Sequence, residues 1–419
     1  MRLRGFFALG LGIGCIGAGA WFLRRASPAA APAEPRIVGT RLFETVFSHV
    51  RSFAVDSLGE QELYRRAAAG VIDELDDPYA VLLLPGQTTT LSPSRPGPQG
   101  LYLDRRDGLV VVVATVPGSP ADSVGLLPGD RLIGVDTLPI DATRLDAAAR
   151  LLEGKAGTTV TLRVRRPRVR SVVVLELVRG PTPERGAVES ATLSNRVGHV
   201  RVLRFVPGLA DSVRQGIEVL RRSGALSVAL DLRGTVGGDI ADGAALADLF
   251  LGAGTALAVS KGRDTEGELR FTDLTPSPFD SLPVAVLVDE GTAGAAEVAA
   301  GALQDHDRAA LLGKPTFGRG VTQSTFALGN DASLQLTTAL WMTPSGRQIQ
   351  RPPQPAGGDS LPRPKLKSDA GRTVLGGGGI VPDRVVEDSG RRGLILTEAR
   401  KLLERAGSIR EVLALVAVR

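Results

Sequence analysis

The 419-residue sequence predicts a mixed α/β core that carries an inserted β-rich module and is preceded by a short helical segment. Three observations carry that expectation. From Val197 onward, β-branched runs alternate with helix-periodic stretches, the pattern of sheet strands with helices laid across them. Between Leu101 and Val178, short runs such as VVVVATV, RLIGV, TVTLRV and SVVVLELV are punctuated by turn residues, which reads as a compact β module. Between Arg36 and Leu84, Leu42, Val46, Val50, Phe53, Leu63, Ala67, Val71, Ile72 and Leu75 recur at helical spacing and stop at Asp77-Pro78.

Composition narrows the function classes. With 43% hydrophobic and 23% charged residues, the chain fits neither wholesale disorder nor a polytopic membrane protein. Its single cysteine, Cys15, excludes an intramolecular disulfide and a four-cysteine zinc site. The net charge of +5 is dispersed and only 4% of residues are aromatic, unlike the clustered basic and stacking residues of a nucleic-acid reader, so no nucleic-acid partner is expected. No phosphate loop, metal-ligand cluster or dinucleotide fingerprint occurs, and no cofactor or metal is expected. Only Lys155, Lys261, Lys314, Lys365, Lys367 and Lys401 are available to any mechanism that needs a neutral lysine.

At the N-terminus, Arg2 and Arg4 precede an uncharged stretch from Gly5 to Leu23, closed by Arg24 and Arg25, so residues 1–25 read as a signal peptide or a membrane anchor that exports the rest of the chain. Its six glycines weaken it as an anchor, and Gly12, three before Cys15, argues against a lipoprotein signal. Residues 26–35 form an Ala/Pro linker, 36–96 a helical region, 97–180 the β module, 181–390 the α/β core and 391–419 a C-terminal helical tail. Within the core the expected elements are strands at Gly198–Phe205, Ser227–Leu232 and Val284–Val288 and helices at Leu209–Arg222, Asp239–Leu251 and Ala295–Leu303. Glycine and proline predict long loops from Thr343 to Pro382.

PGSPADSVGLLPGDRLIGVD, residues 117–136, sets a helix between two turns and resembles a PDZ domain, a fold that takes a peptide C-terminus onto a sheet edge. The matching carboxylate loop is Gly100-Leu101-Tyr102-Leu103, in which Tyr102 replaces a glycine and is expected to loosen carboxylate capture. DPYAVLLLPGQ (77–87), LDLRGTVGGDI (230–240), the long block from Val288 to Gln323, TALWMTPSGRQIQ (338–350) and GGGGIVPD (376–383) resemble, in order and spacing, blocks of the carboxyl-terminal processing, or tail-specific, serine proteases. The resemblance implies an α/β protease core with an inserted PDZ domain and an N-terminal helical segment. It further implies an extracytoplasmic location and protein or peptide C-terminal tails as partners, with the membrane added if residues 1–25 stay uncleaved. The oligomeric state is left open.

The same resemblance locates the dyad. The family signature Gly-Ser-Ala-Ser-Ala-Ser-Glu aligns on Gly291-Thr292-Ala293-Gly294-Ala295-Ala296-Glu297, and its Gly-Lys-Gly loop on Gly318-Arg319-Gly320. Gly294 therefore stands at the nucleophile position and Arg319 at the general-base position, with Gln323 where the family's lysine is supported. Ala295, Gly237 and Gly238 match the oxyanion-hole region. Glycine has no hydroxyl, and arginine keeps its proton because its pKa lies above about 12. The expectation is a tail-binding family member without catalysis; the alternative is an active endopeptidase. Thr292 and Lys314 form a displaced surrogate pair only if folding brings them within hydrogen-bond reach, about 2.6–3.2 Å. His199 and His306 are expected to be structural, and Asp231 and Arg233 to pair with each other.

Overall fold

The structure, a computed structural model, describes residues 36–75, 77–85, 96–141, 145–167, 169–194, 196–263, 268–273, 275–352, 362–387 and 393–417. The expected signal or anchor at 1–25 and the linker at 26–35 lie outside the described residues. No helix among those described is long and apolar enough to cross a membrane. The described residues divide into two compact units, with the division between Glu74 and Leu75.

The first unit holds α1 (Arg36–Phe53) and α2 (Glu60–Asp73). Phe47 packs on Tyr64 with ring centroids 4.4 Å apart, while Leu42, Phe43, Val46 and Phe53 remain exposed.

The second unit begins with β1 (Val81–Leu83), read from sequence as part of the helical region; so short an apolar run looks alike in either state. Then come β2 (Leu101–Arg106), β3 (Leu109–Thr115), α3 (Pro120–Ser123), β4 (Arg131–Val135), β5 (Leu138–Pro139), α4 (Leu145–Leu152), β6 (Thr159–Arg165) and β7 (Val172–Val178). They form the expected β module. Its sheet runs β2-β3-β4-β6-β7 with β5 on β4, which leaves β2 at one edge. Alternate residues Leu101 and Leu103 of β2, Val110 and Val112 of β3 and Leu162 and Val164 of β6 close over Ala148, Ala149 and Leu152 of α4.

The core continues with β8 (Val188–Ser194), β9 (Val197–Val202), α5 (Leu209–Arg222), β10 (Ser227–Asp231), α6 (Ile240–Asp248), β11 (Ala256–Gly262), β12 (Glu268–Thr272), β13 (Val284–Val288), α7 (Ala295–Asp305) and β14 (Ala310–Gly313). A hairpin, β15 (Val321–Gly329) and β16 (Ala332–Met342), is followed by β17 (Lys365–Lys367), β18 (Thr373–Leu375), β19 (Arg384–Val385), α8 (Gly393–Arg405) and α9 (Ile409–Ala417). The main sheet has the order β19-β14-β13-β10-β9-β8, parallel except at β8.

Period-two alternation explains its two layers. Val228 and Leu230 of β10 and Val284, Val286 and Val288 of β13 face α5, α6 and α7 on one side. Ala229, Ala285 and Leu287 face α8 and α9 on the other, so the expected C-terminal helical tail is a layer of the core. A second sheet, β1-β16-β11-β12 with β15 on β16, lies in the same unit. The loops expected from Thr343 to Pro382 contain the short pair β17–β18.

Candidate active site

The candidate site is a corner at the carboxyl end of β13. After Val288 the chain turns through Asp289, whose buried carboxylate accepts the N–H groups of Gly234 and Gly291, both at 2.9 Å. Burial pushes that carboxyl up, and the two N–H donors oppose the shift. Thr292 is fully buried, donates its hydroxyl to the Leu232 carbonyl at 2.8 Å and accepts the Asp289 N–H at 3.0 Å. Ala293 N–H reaches the Thr235 carbonyl at 3.0 Å, which fixes the corner against the loop after β10.

Gly294 then takes φ 71° and ψ −126°, a conformation that a residue with a Cβ adopts only under strain, and α7 starts at Ala295. An added Cβ at 294 would lie 3.0 Å from the Gly237 carbonyl oxygen. That oxygen also accepts the Ala295 N–H at 3.0 Å. Gly237 and Gly238 hold this approach with φ of 96° and 70°. The first N–H of the helix, which would otherwise face an incoming anion, is thus taken by the chain itself.

Glu297 ties the corner to the loop at 316–319. It is fully buried; one carboxylate oxygen accepts the Thr316 hydroxyl and the Gly318 N–H at 2.7 Å, the other the N–H groups of Arg319 at 2.9 Å and Gly294 at 3.2 Å. Burial pushes its carboxyl up against the pull of these four donors. An acidic residue three positions into a helix is a capping signal in the sequence, but its reach to 316–319 is not.

Arg319 fills the place beside this frame. Its guanidinium donates to Gln323 Oε1 at 3.1 Å, lies 4.9 Å from the Tyr79 ring centroid and stands 3.7 Å from Asp104 Oδ2 on β2. Gln323 also donates to the Tyr79 carbonyl and accepts from Gln335, so it orients an arginine. Burial, then the charge of Asp104, pushes the Tyr79 phenol up to about 12. Gly237, Gly238, Gly294, Arg319, Thr322 and Trp341 are among the walls of a cleft of about 240 Å³. The Thr322 hydroxyl is buried there with no hydrogen-bond partner among the described residues, so none of these stands beside it as a base.

The surrogate pair is not brought to this cleft. Thr292 is committed as described, and Lys314 Nζ meets Glu290 at 3.3 Å on a different cleft. His199 bonds Asp231 at 3.1 Å, His306 bonds Asp369 and the Ala256 carbonyl at 2.7 Å each, and Arg233 binds Asp231 through two nitrogens. Burial alone would raise Asp231, yet Arg233 and His199 hold it well below the usual carboxylate range.

At the PDZ loop, Gly100 has φ 78° and packs where a Cβ would strike Ser119. Its N–H turns back to the Gly97 carbonyl at 3.2 Å, and that of Leu101 to Pro98. The Tyr102 side chain does not enter this loop. Strand alternation sends it to the face opposite Leu101 and Leu103, where it is buried with Val236, Ala293 and Phe317 of the core. Two residues on, Asp104 meets Arg319, and Arg106 donates to the Phe317 carbonyl at 2.9 Å with its guanidinium 3.7 Å from the Phe317 ring centroid. The edge strand thus sits on the 317–319 loop.

Residues 196–355 match peptidase family S41, and residues 111–166 match a PDZ domain. The chain is 32% identical over 298 residues to carboxyl-terminal-processing peptidase 2, chloroplastic, of Arabidopsis thaliana, covering 67% of this chain and 57% of that protein. It therefore spans less than two thirds of that relative's length. It is likewise 32% identical over 284 residues to the carboxyl-terminal-processing protease of a Picosynechococcus species, covering 66% of this chain and 68% of the relative. The solved photosystem II D1 C-terminal processing protease superposes with a TM-score of 0.68 at 24% identity, over 87% of this chain and 91% of that one, a likeness of fold.

Proposed function

The chain belongs to the carboxyl-terminal processing protease family and carries its PDZ domain, and from that premise we propose that it is a catalytically silent member, located in the cell envelope, that holds protein C-terminal tails. The observation that carries the reading is the pairing of Gly294, in a nucleophile-type turn without a hydroxyl, with Arg319, a permanent cation where a base is needed. Two further features support it. The Ala295 N–H is occupied by the Gly237 carbonyl, so the donor that would stabilise an oxyanion is not free. The Thr292 hydroxyl is buried and bonded, which argues against a displaced Thr292/Lys314 pair. Tail binding rests on β2, an edge strand that starts directly after Gly100, so that Leu101–Leu103 of the matched loop are its first residues, and that packs with Ala148, Ala149 and Leu152 of α4, the arrangement that adds a peptide as a further strand. The envelope location rests on the charge pattern of Arg2, Arg4 and the uncharged run after them.

Incubation of the purified chain with an unstructured protein tests silence: no cleavage above background is expected. Proteolysis abolished by Thr292→Ala or Lys314→Ala would overturn it in favour of an active endopeptidase. A reporter fused after Pro35 should be active only outside the cytoplasm; activity confined to the cytoplasm would overturn the location.

A further inference from the structure

A second, larger cleft, of about 470 Å³, opens between the PDZ module and the carboxyl ends of the main-sheet strands, and the residues of the 294 corner's cleft do not line it. Leu126 and Leu127 of the PDZ module and Leu203, Val288, Val386 and Ile395 of the core are among its lining residues. Its volume and apolar lining suit a small ligand or a short piece of chain.

Four described cations reach this cleft, and three are already matched. Arg166 binds Asp130 through two nitrogens, Arg233 binds Asp231 likewise, and Lys314 meets Glu290. Arg201 has no hydrogen-bond or ion-pair partner among the described residues, and its Nε is buried. Strand register shows why. Arg201 lies between Glu189 of β8 and Asp231 of β10, but Arg185 takes Glu189 at 3.0 Å, and Arg233 and His199 take Asp231. A guanidinium N–H buried without an acceptor, as at Nε of this half-buried arginine, is destabilising unless a ligand supplies one.

We propose that this cleft binds a carboxylate carried on an apolar body, with Arg201 as its anchor. The charge on the walls selects the anion. Asp122, Asp289 and Glu290 line the same space, so a doubly charged phosphate would be repelled where a single carboxylate is matched by one guanidinium. The apolar body would lie against Leu126, Leu127, Val386 and Ile395. A peptide C-terminus and a medium-chain fatty acid share this chemistry. The proposal does not depend on the state of the 294 corner.

Calorimetric titration of the full chain with acetyl-Ala-Leu-Val as the free acid, with its C-terminal amide and with octanoate tests it. The free acid is expected to saturate, the amide to bind at least tenfold more weakly, and Arg201→Gln to lose at least tenfold, with Arg201→Lys retaining part. Because Arg201 holds no partner, Arg201→Gln should melt at or above the wild-type temperature. Octanoate binding as tightly as the peptide would show that carboxylate and apolar body suffice, and peptide binding alone would assign a chain terminus as the source. Wild-type affinity in Arg201→Gln, equal binding of the amide, or no saturation by any probe overturns the proposal. A photo-crosslinking version of the peptide should label Leu127 or Val386. Labels confined to β2 and α4 would overturn this site and leave tail binding in the PDZ groove standing.

Discussion

Positions 294 and 319, which the resemblance aligns with the family's dyad, carry no side chain and a long one respectively, and their surroundings treat the two oppositely. The turn at Gly294 keeps its φ of 71° and ψ of −126° with nothing in the place of a hydroxyl, and glycine relieves the strain that any other residue would meet there. Arg319 has instead become a hub, bonded to Gln323, stacked near Tyr79 and drawn toward Asp104 of the PDZ edge strand. Of the two aligned positions, one is backbone without a side chain and the other a side chain that reaches from the core to the PDZ edge strand. The two positions should therefore respond differently to substitution.

Both positions hang from Glu297, so its removal should have the largest effect. Glu297→Ala leaves a cavity and strands four donors, from Thr316, Gly318, Arg319 and Gly294, with an expected loss of about 3–5 kcal/mol. Thermal melting reads the loss, and hydrogen exchange should accelerate at both 294–298 and 316–320. Protection lost in only one segment would break the idea of a common frame.

Arg319→Ala should come next, at about 1–3 kcal/mol, because it leaves Asp104, 4% exposed, buried without its cation. A double-mutant cycle with Asp104→Ala isolates the link between the domains. Additive effects within about 0.5 kcal/mol would show that the guanidinium does not hold the edge strand.

Gly294→Ala probes the other half. The positive φ and the 3.0 Å approach to the Gly237 oxygen should together make it destabilising by about 1–2 kcal/mol, although it adds a methyl group to a cleft. A neutral or stabilising result would mean that the turn relaxes and is no longer a nucleophile-type corner.

How much of the molecule is legible in the sequence differs by range of interaction. Val284–Val288 and Leu209–Arg222 are the strand and helix that periodicity marks, because each carries its burial pattern locally. The hairpin β15–β16 carries no such mark: its strands interleave Thr, Gln and Ser with apolar residues and are only half-buried, although the Asn330-Asp331 turn, with φ of 48° and 59°, is a hairpin signal. At the site, Gly294 and Arg319 are visible through the family blocks. The direction of Tyr102 is not, since alternation fixes that two residues face apart but not which face meets the core. The contact of Asp104 with Arg319 spans more than two hundred residues and leaves no local trace.

The smallest expected signal is the return of chemistry. Gly294→Ser with Arg319→Lys restores a hydroxyl and a titratable amine, and Gln323, already bonded to residue 319, is placed to orient that amine. Either single change should give no labelling by a serine-directed phosphonate, since an unactivated serine reacts poorly and a lysine without a serine has nothing to deprotonate. The double variant should label weakly. Peptide hydrolysis should lag behind labelling, because the Gly237 carbonyl still accepts the Ala295 N–H and would face a developing oxyanion with an acceptor where a donor is required. Rotation of the Gly237–Gly238 peptide would free that donor. Labelling of Gly294→Ser alone at the rate of the double variant would remove Arg319 from the base position. Hydrolysis that keeps pace with labelling would show that the Gly237 carbonyl does not block the corner.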